Sequence, residues 1–585
     1  MKRTFWLTLA GLAFTASCRD ALDVPNTNQP DVARVLANAA SIEATIAAGY
    51  QTAHNAVLYS SSSLMPQVYV LAEEGYSQLN NFDMGPQGGI PRSPIQNLRG
   101  GTSHFADFST SQRAARLEVN AVNALDALMK AGGTTGTAVP VVGNPGNAAT
   151  DSAQDMRDRA FAFFVIGVDQ AQLAMRYDSA GIVHPGMSSD VVPPLSGYQA
   201  VMADAIKMLD TAEAIASKTW GTTGATLSVD QTWLGGNSNT MTLGPSGTFL
   251  QLIRAFRARF RAGVARTPTE RAAVDWAKVI ADAENSIAKD FAVSAGGSTG
   301  YSIGYSSQQN VAAAWLQLSP MYYGMADTSH AGDALGSYRD WIAATPANRM
   351  YFLIRTPDKR FPAGDTRKAQ QTSSTKPTSW TSHPFIANRG GGGVDNNADD
   401  PGDPWGVSYY DGYRMKYIPL ASNTGIYPDI LVAEMKLLGA EGHLRRGELA
   451  QAAAEIDFSR VASGGLPALA GSAAASDSTQ AVPGGSACVP LVPYGGASGL
   501  KCGRIWEALK WEKRIELMFT GGNQWFFDSR GWGDLINGTP LQYPVPYQEM
   551  DARYGASVNK FYNLGGDVSG GASSASKNTY GNFGF

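Results

Sequence analysis

Charged residues, cysteines and histidines are all scarce in this sequence. Charged side chains make up 16% of the 585 residues and the formal net charge is −4, whereas an average globular protein has about 25% charged residues. Basic and acidic residues are interspersed, and without a basic stripe we predict no nucleic-acid partner. The six histidines form no H-x-x-x-H pair, which argues against a catalytic zinc site. After residue 16, no apolar run approaches the length of a membrane-spanning helix.

Apolar residues, glycine and proline are abundant instead. Hydrophobic residues account for 44% of the sequence, which also contains 64 glycines and 30 prolines. This apolar content is ample for one large core or several small ones. Because the charge is low and glycine and proline are frequent, we expect long ordered loops around that core.

The amino terminus has the pattern of an export signal. Two basic residues precede an apolar run over residues 5–16, which is followed by Ser17 and Cys18. The run is too short to span a bilayer, so we predict a signal peptide over residues 1–17. Residues 15–18, TASC, resemble a bacterial lipobox. This resemblance implies lipidation of Cys18, palmitate included, and a tether over 18–29. The alternative is an ordinary secretory signal with an incidental cysteine.

Only two cysteines remain if Cys18 carries lipid. Cys488 and Cys502 lie in a glycine- and proline-rich segment over 482–503 that lacks helical periodicity. We predict a disulfide between them, which belongs to an oxidising compartment and contributes about 3 kcal/mol on the chain-entropy model. The alternative is a pair of reduced thiols. No histidine is near either cysteine in sequence, which argues against a metal site.

Apolar residues recur at spacings of three and four over many segments, which predicts a mostly α-helical fold with minor β-structure. The predicted helices cover roughly 30–57, 111–131, 155–177, 198–216, 248–265, 269–289, 428–446, 448–461 and 504–519. The sequence over 291–426 is irregular. Helices joined by short turns, as at Gly447, indicate tetratricopeptide-like helical hairpins in an α-solenoid scaffold.

Three segments of the chain, taken in order, resemble one known family. The first combines the lipobox, LDVP at 22–25 and a helix ending at Gly49 and Tyr50. The second, over 433–448, is AEMKLLGAEGHLRRGE, a helix with paired glutamates, its turn and the next helix. The third begins with EKRIELMF at 512–519 and closes with YPVPYQE at 543–549. Together they resemble the SusD/RagB family of nutrient-binding outer-membrane lipoproteins, although Thr520 stands where that family usually has glutamate.

The resemblance implies a function as well as a fold. It predicts a single SusD-like domain over 30–585, with a helical scaffold at about 30–290 and 427–535 and a loop-rich ligand-binding insertion at about 291–426. It implies a non-enzymatic protein, lipid-anchored in the outer membrane and facing outside. The implied ligand is an oligosaccharide or a peptide, and the implied partner is a SusC-like TonB-dependent channel. No cofactor is expected.

Two other functions stay open on the residues alone. One is a secreted hydrolase that uses Ser298 or a pair of carboxylates such as Glu434 and Glu441. Residues 296–300, GGSTG, match a G-x-S-x-G nucleophile elbow, but residues 290–293 predict a poor strand before it and no helix is indicated after it. The favoured interpretation of Glu434, Glu441 and Glu516 is structural, as acids paired with Arg514, Arg530 or backbone groups. The other function is a surface lipoprotein without a small ligand.

One acidic loop has some features of a calcium site. Asp395, Asn397 and Asp399 offer alternating oxygen donors, but the glycine and glutamate of an EF-hand loop are missing. A solvated acidic loop is the favoured interpretation, with a weak calcium site as the alternative.

Aromatic residues are the positive signal for ligand binding. The segment from 301 to 417 holds 14 of the 35 Trp and Tyr residues of the chain, and such side chains combine an apolar face with a polar group. Flat aromatic rings stack on sugar rings, although we expect most of these residues to fill small cores beneath loops. The predicted exposed platforms are Trp315, Tyr322, Trp380, Tyr76 and Trp233. The predicted hydrogen-bonding residues are Gln308, Asn310, Asn388 and Arg389.

Overall fold

The computed structural model describes residues 39–58, 65–77, 80, 83–89, 92–93, 95, 97, 105–134, 148–219, 227–303, 316–334, 336–345, 348, 352–374, 376–388, 410–494, 500–520 and 522–555. Cys18 and the tether lie outside these residues, as does the acidic loop with Asp395, Asn397 and Asp399. The lipidation of Cys18 therefore stays a prediction, and the alternatives of a solvated acidic loop and a weak calcium site stay open.

The described part of the chain is mostly helical, as predicted. Its α-helices are α1 Ala39–Ala47, α2 Gly49–Leu58, α3 Met65–Leu71, α4 Met84–Gly88, α5 Phe105–Thr134, α6 Ala148–Arg176, α7 Tyr198–Ala216, α8 Thr248–Gly263, α9 Pro268–Ala272, α10 Trp276–Glu284, α11 Pro320–Tyr323, α12 Tyr338–Ala343, α13 Arg367–Ser373, α14 Tyr417–Leu420, α15 Val432–Arg445, α16 Leu449–Arg460, α17 Ile505–Leu517, α18 Gln524–Trp532 and α19 Tyr547–Tyr554. Helix α7 has the predicted bounds, because its buried residues recur with helical spacing.

The β-structure is minor and consists of two-stranded antiparallel pairs. The strands are β1 Ser179–Gly181, β2 Leu195–Gly197, β3 Ser228–Val229, β4 Met241–Thr242, β5 Phe291–Gly296, β6 Ile386–Asn388, β7 Tyr410–Gly412, β8 Thr424–Ile430, β9 Leu491–Pro493 and β10 Leu500–Cys502. The pairs are β1–β2, β3–β4, β5–β8, β6–β7 and β9–β10. The longest pair, β5–β8, sets Phe291 opposite Ile430 and Gly296 opposite Thr424.

Successive helices pack side by side and build the scaffold. Helix α5 packs on α6, α6 on α7, α10 on α15, and α15 on α16. Between α15 and α16 the chain turns at Gly447, whose φ of +77° is readily accessible to glycine. The amide of Glu448 then donates to the carbonyl of His443, 2.8 Å away, which closes the end of α15. The helical hairpin predicted at this point is therefore present.

Several sequence-based boundaries are wrong. The helix predicted over 269–289 is divided into α9 and α10, because the Asp275 carboxylate accepts a hydrogen bond from the Lys278 amide (3.2 Å) and starts a new helix. Pro428 lies within β8 and does not open a helix, which begins at Val432. A two-stranded pair has only edge strands, where a missing N–H group is tolerated. Residues 291–296, read from the sequence as irregular, form the partner strand β5.

A continuous hydrophobic core joins the helices. On one side of this core, Phe161 and Phe164 of α6 contact Phe249 of α8, with ring centroids 6.1 and 5.5 Å apart. Such aromatic contacts add to the free energy gained by burying apolar area. No helix among the described residues combines the length and the apolar composition that crossing a membrane requires.

The segment over 482–503 contains a disulfide. Cys488 and Cys502 are bonded, with Cα atoms 5.6 Å apart. Strands β9 and β10 form an antiparallel hairpin in which Cys502 lies opposite Leu491. The hairpin was not expected, because glycine and proline obscure the short strands.

Candidate functional site

The paired glutamates of the second segment lie in buried networks of ion pairs. Glu441 is fully buried and accepts two hydrogen bonds from Arg271, at 2.9 and 2.6 Å, and one from the Trp532 indole, at 3.0 Å. Arg271 also binds Asp528 (2.8 Å), which binds Lys513 (2.9 Å). Burial alone would raise the pKa of Glu441, but the Arg271 guanidinium outweighs burial and holds that pKa well below its usual range.

Glu434 belongs to a second buried network. Its carboxylate binds Arg259 at 2.7 and 2.6 Å, and Arg259 also donates to the carbonyl of Asp429. The Asp429 carboxylate accepts from the Tyr50 hydroxyl at 2.5 Å and lies 2.9 Å from Nδ1 of His54. Burial alone would lower the pKa of His54, but Asp429 outweighs burial and raises it. This imidazole is paired at both nitrogens, since Nε2 lies 2.9 Å from the Ser302 carbonyl oxygen.

A third network surrounds Arg360, which is fully buried. Its guanidinium binds Glu512 at 2.6 Å, Asp358 at 2.7 Å and Glu516 at 3.3 Å. The Ser459 hydroxyl donates to Glu512 and Glu516, at 2.8 and 3.0 Å. The glutamates are thus held in buried ion pairs, which is a structural arrangement.

The prediction that Arg514 and Arg530 pair with these glutamates was wrong. Arg514 binds Asp534, 2.7 Å away, and donates to the Tyr322 hydroxyl at 2.9 Å. Arg530 donates to the backbone carbonyls of Leu541 and Gly263. The pairing depends on how distant helices cross, and sequence spacing does not reveal it.

The G-x-S-x-G segment does not form a nucleophile elbow. Strand β5 ends at Gly296, whose amide donates to the Tyr301 carbonyl at 2.8 Å, so the chain turns back at once. Ser298 is exposed in this turn, and Gly297 and Gly300 have positive φ angles of 58° and 78°. An elbow requires a helix directly after the strand. Here the segment is a glycine-rich turn.

Two predicted platforms are buried and cannot receive a ligand. Tyr322 is 1% exposed and lies parallel to Trp511, with ring centroids 5.8 Å apart. Trp233 is 8% exposed, contacts the edge of Phe161 and is covered by the Arg157 guanidinium at 4.6 Å. Both predictions were wrong because residues far away in sequence cover these rings.

The other predicted binding residues have different environments. Tyr76 is partly buried and exchanges backbone hydrogen bonds with Gln317. Asn388 is buried and donates to Gln370, so its predicted availability to a ligand was wrong. Trp380 is partly buried and its indole donates to Asp290 at 2.8 Å. Trp315, Gln308, Asn310 and Arg389 lie outside the described residues.

A cleft of about 260 Å³ opens beside Trp380. It is lined by Asp290, Thr381, His383, Phe385, Arg414, Leu431, Ala433, Phe458, Ser459, Ala462, Ser463 and Glu516. Asp290 is held in place because its other carboxylate oxygen accepts from the amide of Val432 at the start of α15. The cleft therefore lies where the loop before β6 meets helices α15, α16 and α17.

Three flat groups are stacked at one wall of this cleft. The exposed His383 imidazole lies over the Phe385 ring, with centroids 4.7 Å apart and an angle of 23°. The Arg414 guanidinium lies 4.1 Å from the same Phe385 ring. Arg414 is fixed in turn by its hydrogen bond to the Glu516 carbonyl. The partial desolvation of His383 lowers its pKa, which favours the neutral imidazole, a ring suited to stacking and hydrogen bonding.

Phe458 adds an apolar surface to the rim of the cleft. It is 45% exposed although it belongs to α16, whose buried residues include Ala452, Ala453 and Ile456. A large aromatic residue away from the buried stripe of a helix is a signal that sequence analysis could have used. His383, Arg414 and Glu516 carry no such signal, because they come from separate parts of the chain.

No protein-family model and no curated protein matches this chain. Solved structures of the SusD superfamily are similar to it. One from Bacteroides vulgatus is 12% identical and has a TM-score of 0.49, with 88% of this chain and 97% of that chain covered. One from Bacteroides fragilis is 12% identical, with a TM-score of 0.47 and coverage of 89% and 99%. A SusD-like carbohydrate binding protein from Bacteroides fragilis is 12% identical, with a TM-score of 0.48 and coverage of 85% and 87%. At this identity the similarity concerns the fold.

Proposed function

We propose that this chain is a lipid-anchored outer-membrane protein that faces outside and captures oligosaccharides, or alternatively peptides. It delivers them to a SusC-like TonB-dependent transporter and catalyses no reaction itself. The anchor is the lipid on Cys18. The binding site is the cleft lined by His383, Arg414 and Phe458.

The observation that carries this proposal is the way in which the three family-like segments meet. Tyr50 of the first segment is joined through Asp429 and Arg259 to Glu434 of the second. Glu441 of the second segment is joined through Arg271 to Asp528 of the third (2.6 and 2.8 Å). Segments that are far apart in sequence thus act as one structural unit, which supports a shared scaffold role and argues against a catalytic pair.

The cleft supports the binding of a sugar chain. Of the stacked groups only the His383 imidazole is exposed, since Phe385 and Arg414 are 2% and 3% exposed and support it from beneath. This ring suits the C–H face of a sugar, while Asp290 and Thr381 offer hydrogen-bonding groups at the lining. The volume of about 260 Å³ is below the range of about 300–1,000 Å³ that is usual for drug-sized ligands. A small, shallow site favours moderate affinity, which suits a ligand that must be released to a channel.

Calorimetric titration of the protein with a panel of plant, bacterial and host oligosaccharides, and with a panel of short peptides, tests the binding role. We expect one glycan class to bind, and Phe458→Ala and His383→Ala each to weaken its affinity at least about 10-fold, which corresponds to about 1.4 kcal/mol. Tyr554→Ala removes an aromatic residue that is 39% exposed on α19 and serves as the matched control. Binding that is unaffected by both cleft variants would place the site elsewhere. No binding of any glycan or peptide would favour a structural lipoprotein.

The anchor and the partner require separate measurements. Mass spectrometry of the native protein should show an acylated Cys18 at the mature amino terminus. Cys18→Ala should move the protein from the outer-membrane fraction to the soluble fraction. Affinity purification of the anchored protein should recover a large outer-membrane barrel with a plug domain. An unmodified amino terminus, or purification without any such barrel, would contradict this part of the proposal.

A further inference from the structure

A histidine and two glutamates meet where helices α10, α15 and α16 pack together. Glu284 ends α10, His443 lies in the last turn of α15, and Glu455 lies in α16. The donor atoms of these three residues are within 4.8 Å of one another. Nε2 of His443 lies 3.2 Å from Oε1 of Glu284 and 3.9 Å from Oε2 of Glu455.

These distances suit a divalent metal ion. An ion with tetrahedral geometry and bonds of about 2.0–2.1 Å holds its ligand atoms about 3.3 Å apart. The 3.2 Å between Nε2 of His443 and Glu284 is close to that value, whereas the 3.9 Å between Nε2 and Glu455 exceeds it, so the Glu455 side chain must rotate to bring all three donors into range. Zn²⁺ accepts both imidazole nitrogen and carboxylate oxygen as ligands, and a site with three protein ligands leaves the fourth position to water. We propose that His443, Glu284 and Glu455 bind a zinc-type divalent cation that joins α10, α15 and α16.

The second nitrogen of the imidazole is already oriented for this role. Nδ1 of His443 lies 2.6 Å from Oε2 of Glu448, at the start of α16. A carboxylate at this position fixes the ring and leaves the other nitrogen to face a metal, which is the usual arrangement around metal-bound histidines. Glu448 thus orients the His443 imidazole and does not itself bind the metal ion.

The buried oxygen of Glu455 gives an independent reason for a cation. Oε2 of Glu455 is inaccessible to solvent and has no hydrogen-bond partner, and such a buried oxygen is costly unless something pairs with it. This oxygen packs against α15 at Gly439, where an added Cβ would lie only 2.5 Å from it. Lys436 lies 3.7 Å from Oε1, the other oxygen of Glu455, so Oε2 is the oxygen that faces Glu284 and His443. Glu284 is 46% exposed at its side chain, which provides a route for the ion.

Isothermal titration of the full chain, purified without a polyhistidine tag, with ZnCl₂ tests this proposal. We expect one equivalent of Zn²⁺ to bind, and His443→Gln and Glu455→Gln each to weaken that binding at least about 10-fold. His184→Gln removes an exposed histidine outside the cluster and should bind Zn²⁺ as the unchanged chain does. Zinc binding that is absent, or that is equally strong in His443→Gln, would overturn the proposal.

A spectroscopic measurement separates loss of the site from loss of the fold. Co²⁺ in a tetrahedral site with nitrogen and oxygen ligands absorbs visible light, and the unchanged chain should show this band while His443→Gln lacks it. Circular dichroism of each variant should match that of the unchanged chain. A misfolded variant would be replaced by Gly439→Ala, which displaces the Glu455 carboxylate and keeps every donor residue. A Co²⁺ band that survives both His443→Gln and Gly439→Ala would refute the site.

Discussion

The strongest prediction concerns the buried network around Glu441. Glu441, Asp528, Arg271 and Lys513 are two negative and two positive side chains, none more than 5% exposed, and the less buried Arg445 (19% exposed) adds a third cation 3.0 Å from Glu441. The substitution Glu441→Gln keeps the shape of the side chain and removes one negative charge. Arg271 and Lys513 then share a single carboxylate in a buried environment, although Arg271 keeps its bond to Asp528 (2.8 Å).

The expected cost follows from the burial of these charges. Removing one partner of a buried ion pair leaves an uncompensated charge and destabilises a protein by about 3–5 kcal/mol. An exposed pair contributes only about 0–1 kcal/mol. Asp275→Asn, which acts on a pair with Lys278 whose side chains are 51% and 64% exposed, is therefore a suitable control. Urea denaturation of the two variants should give clearly different losses in the free energy of unfolding.

The pH dependence provides a second check on the same network. The pKa of Glu441 is held below its ordinary value of 4.5 in the folded chain. Its charge therefore stabilises the fold above about pH 4.5, and this contribution disappears as the pH falls through the lower pKa of the folded state. The free energies of unfolding of the unchanged chain and of Glu441→Gln should therefore become more similar below pH 4.5. A loss of less than about 1 kcal/mol at pH 7 would refute the reasoning, because it would make the network no stronger than a surface pair.

Three further predictions concern a disulfide, a buried aromatic ring and a buried acid. Cys488→Ser removes the bond to Cys502 and should lower the free energy of unfolding by about 3 kcal/mol in urea denaturation, with no further effect of a reductant; an unchanged midpoint would contradict it. Tyr322→Ala leaves a cavity beside Trp511 and should cost about 3–5 kcal/mol in the same assay, whereas a cost below about 1 kcal/mol would mean that the ring is exposed as first predicted. Burial raises the pKa of Glu74 from 4.5 to about 8, so stability should fall as the pH rises between these values, by up to about 1.4 kcal/mol per pH unit. Glu74→Gln should make that fall shallower without abolishing it, because burial also raises the pKa of other acids such as Glu118 and Asp158. A pH profile of the urea midpoint that this substitution leaves unchanged would show that Glu74 is charged in the folded chain.

Periodic sequence predicted several helices well, most clearly α7, whose buried residues recur with helical spacing. The bounds of α7 match the prediction, and α16 and α17 begin and end within two residues of it. Local spacing is enough here, because the apolar residues of one helix face the core whatever partner covers them. Prediction failed where a local signal competed with a distant one, as at Pro428, whose strand exists only because residues 291–296 pair with it.

The mostly helical class and the turn at Gly447 could be predicted from the sequence, because both depend on residues close together in the chain. The exposure of individual side chains depends on tertiary structure and could not be predicted from the sequence. Tyr322 is covered by Trp511 and Arg514, almost two hundred residues away in sequence, and the cleft takes His383, Arg414 and Phe458 from separate elements. A side chain's own neighbours in sequence set its secondary structure, whereas the packing of distant helices sets its access to a ligand.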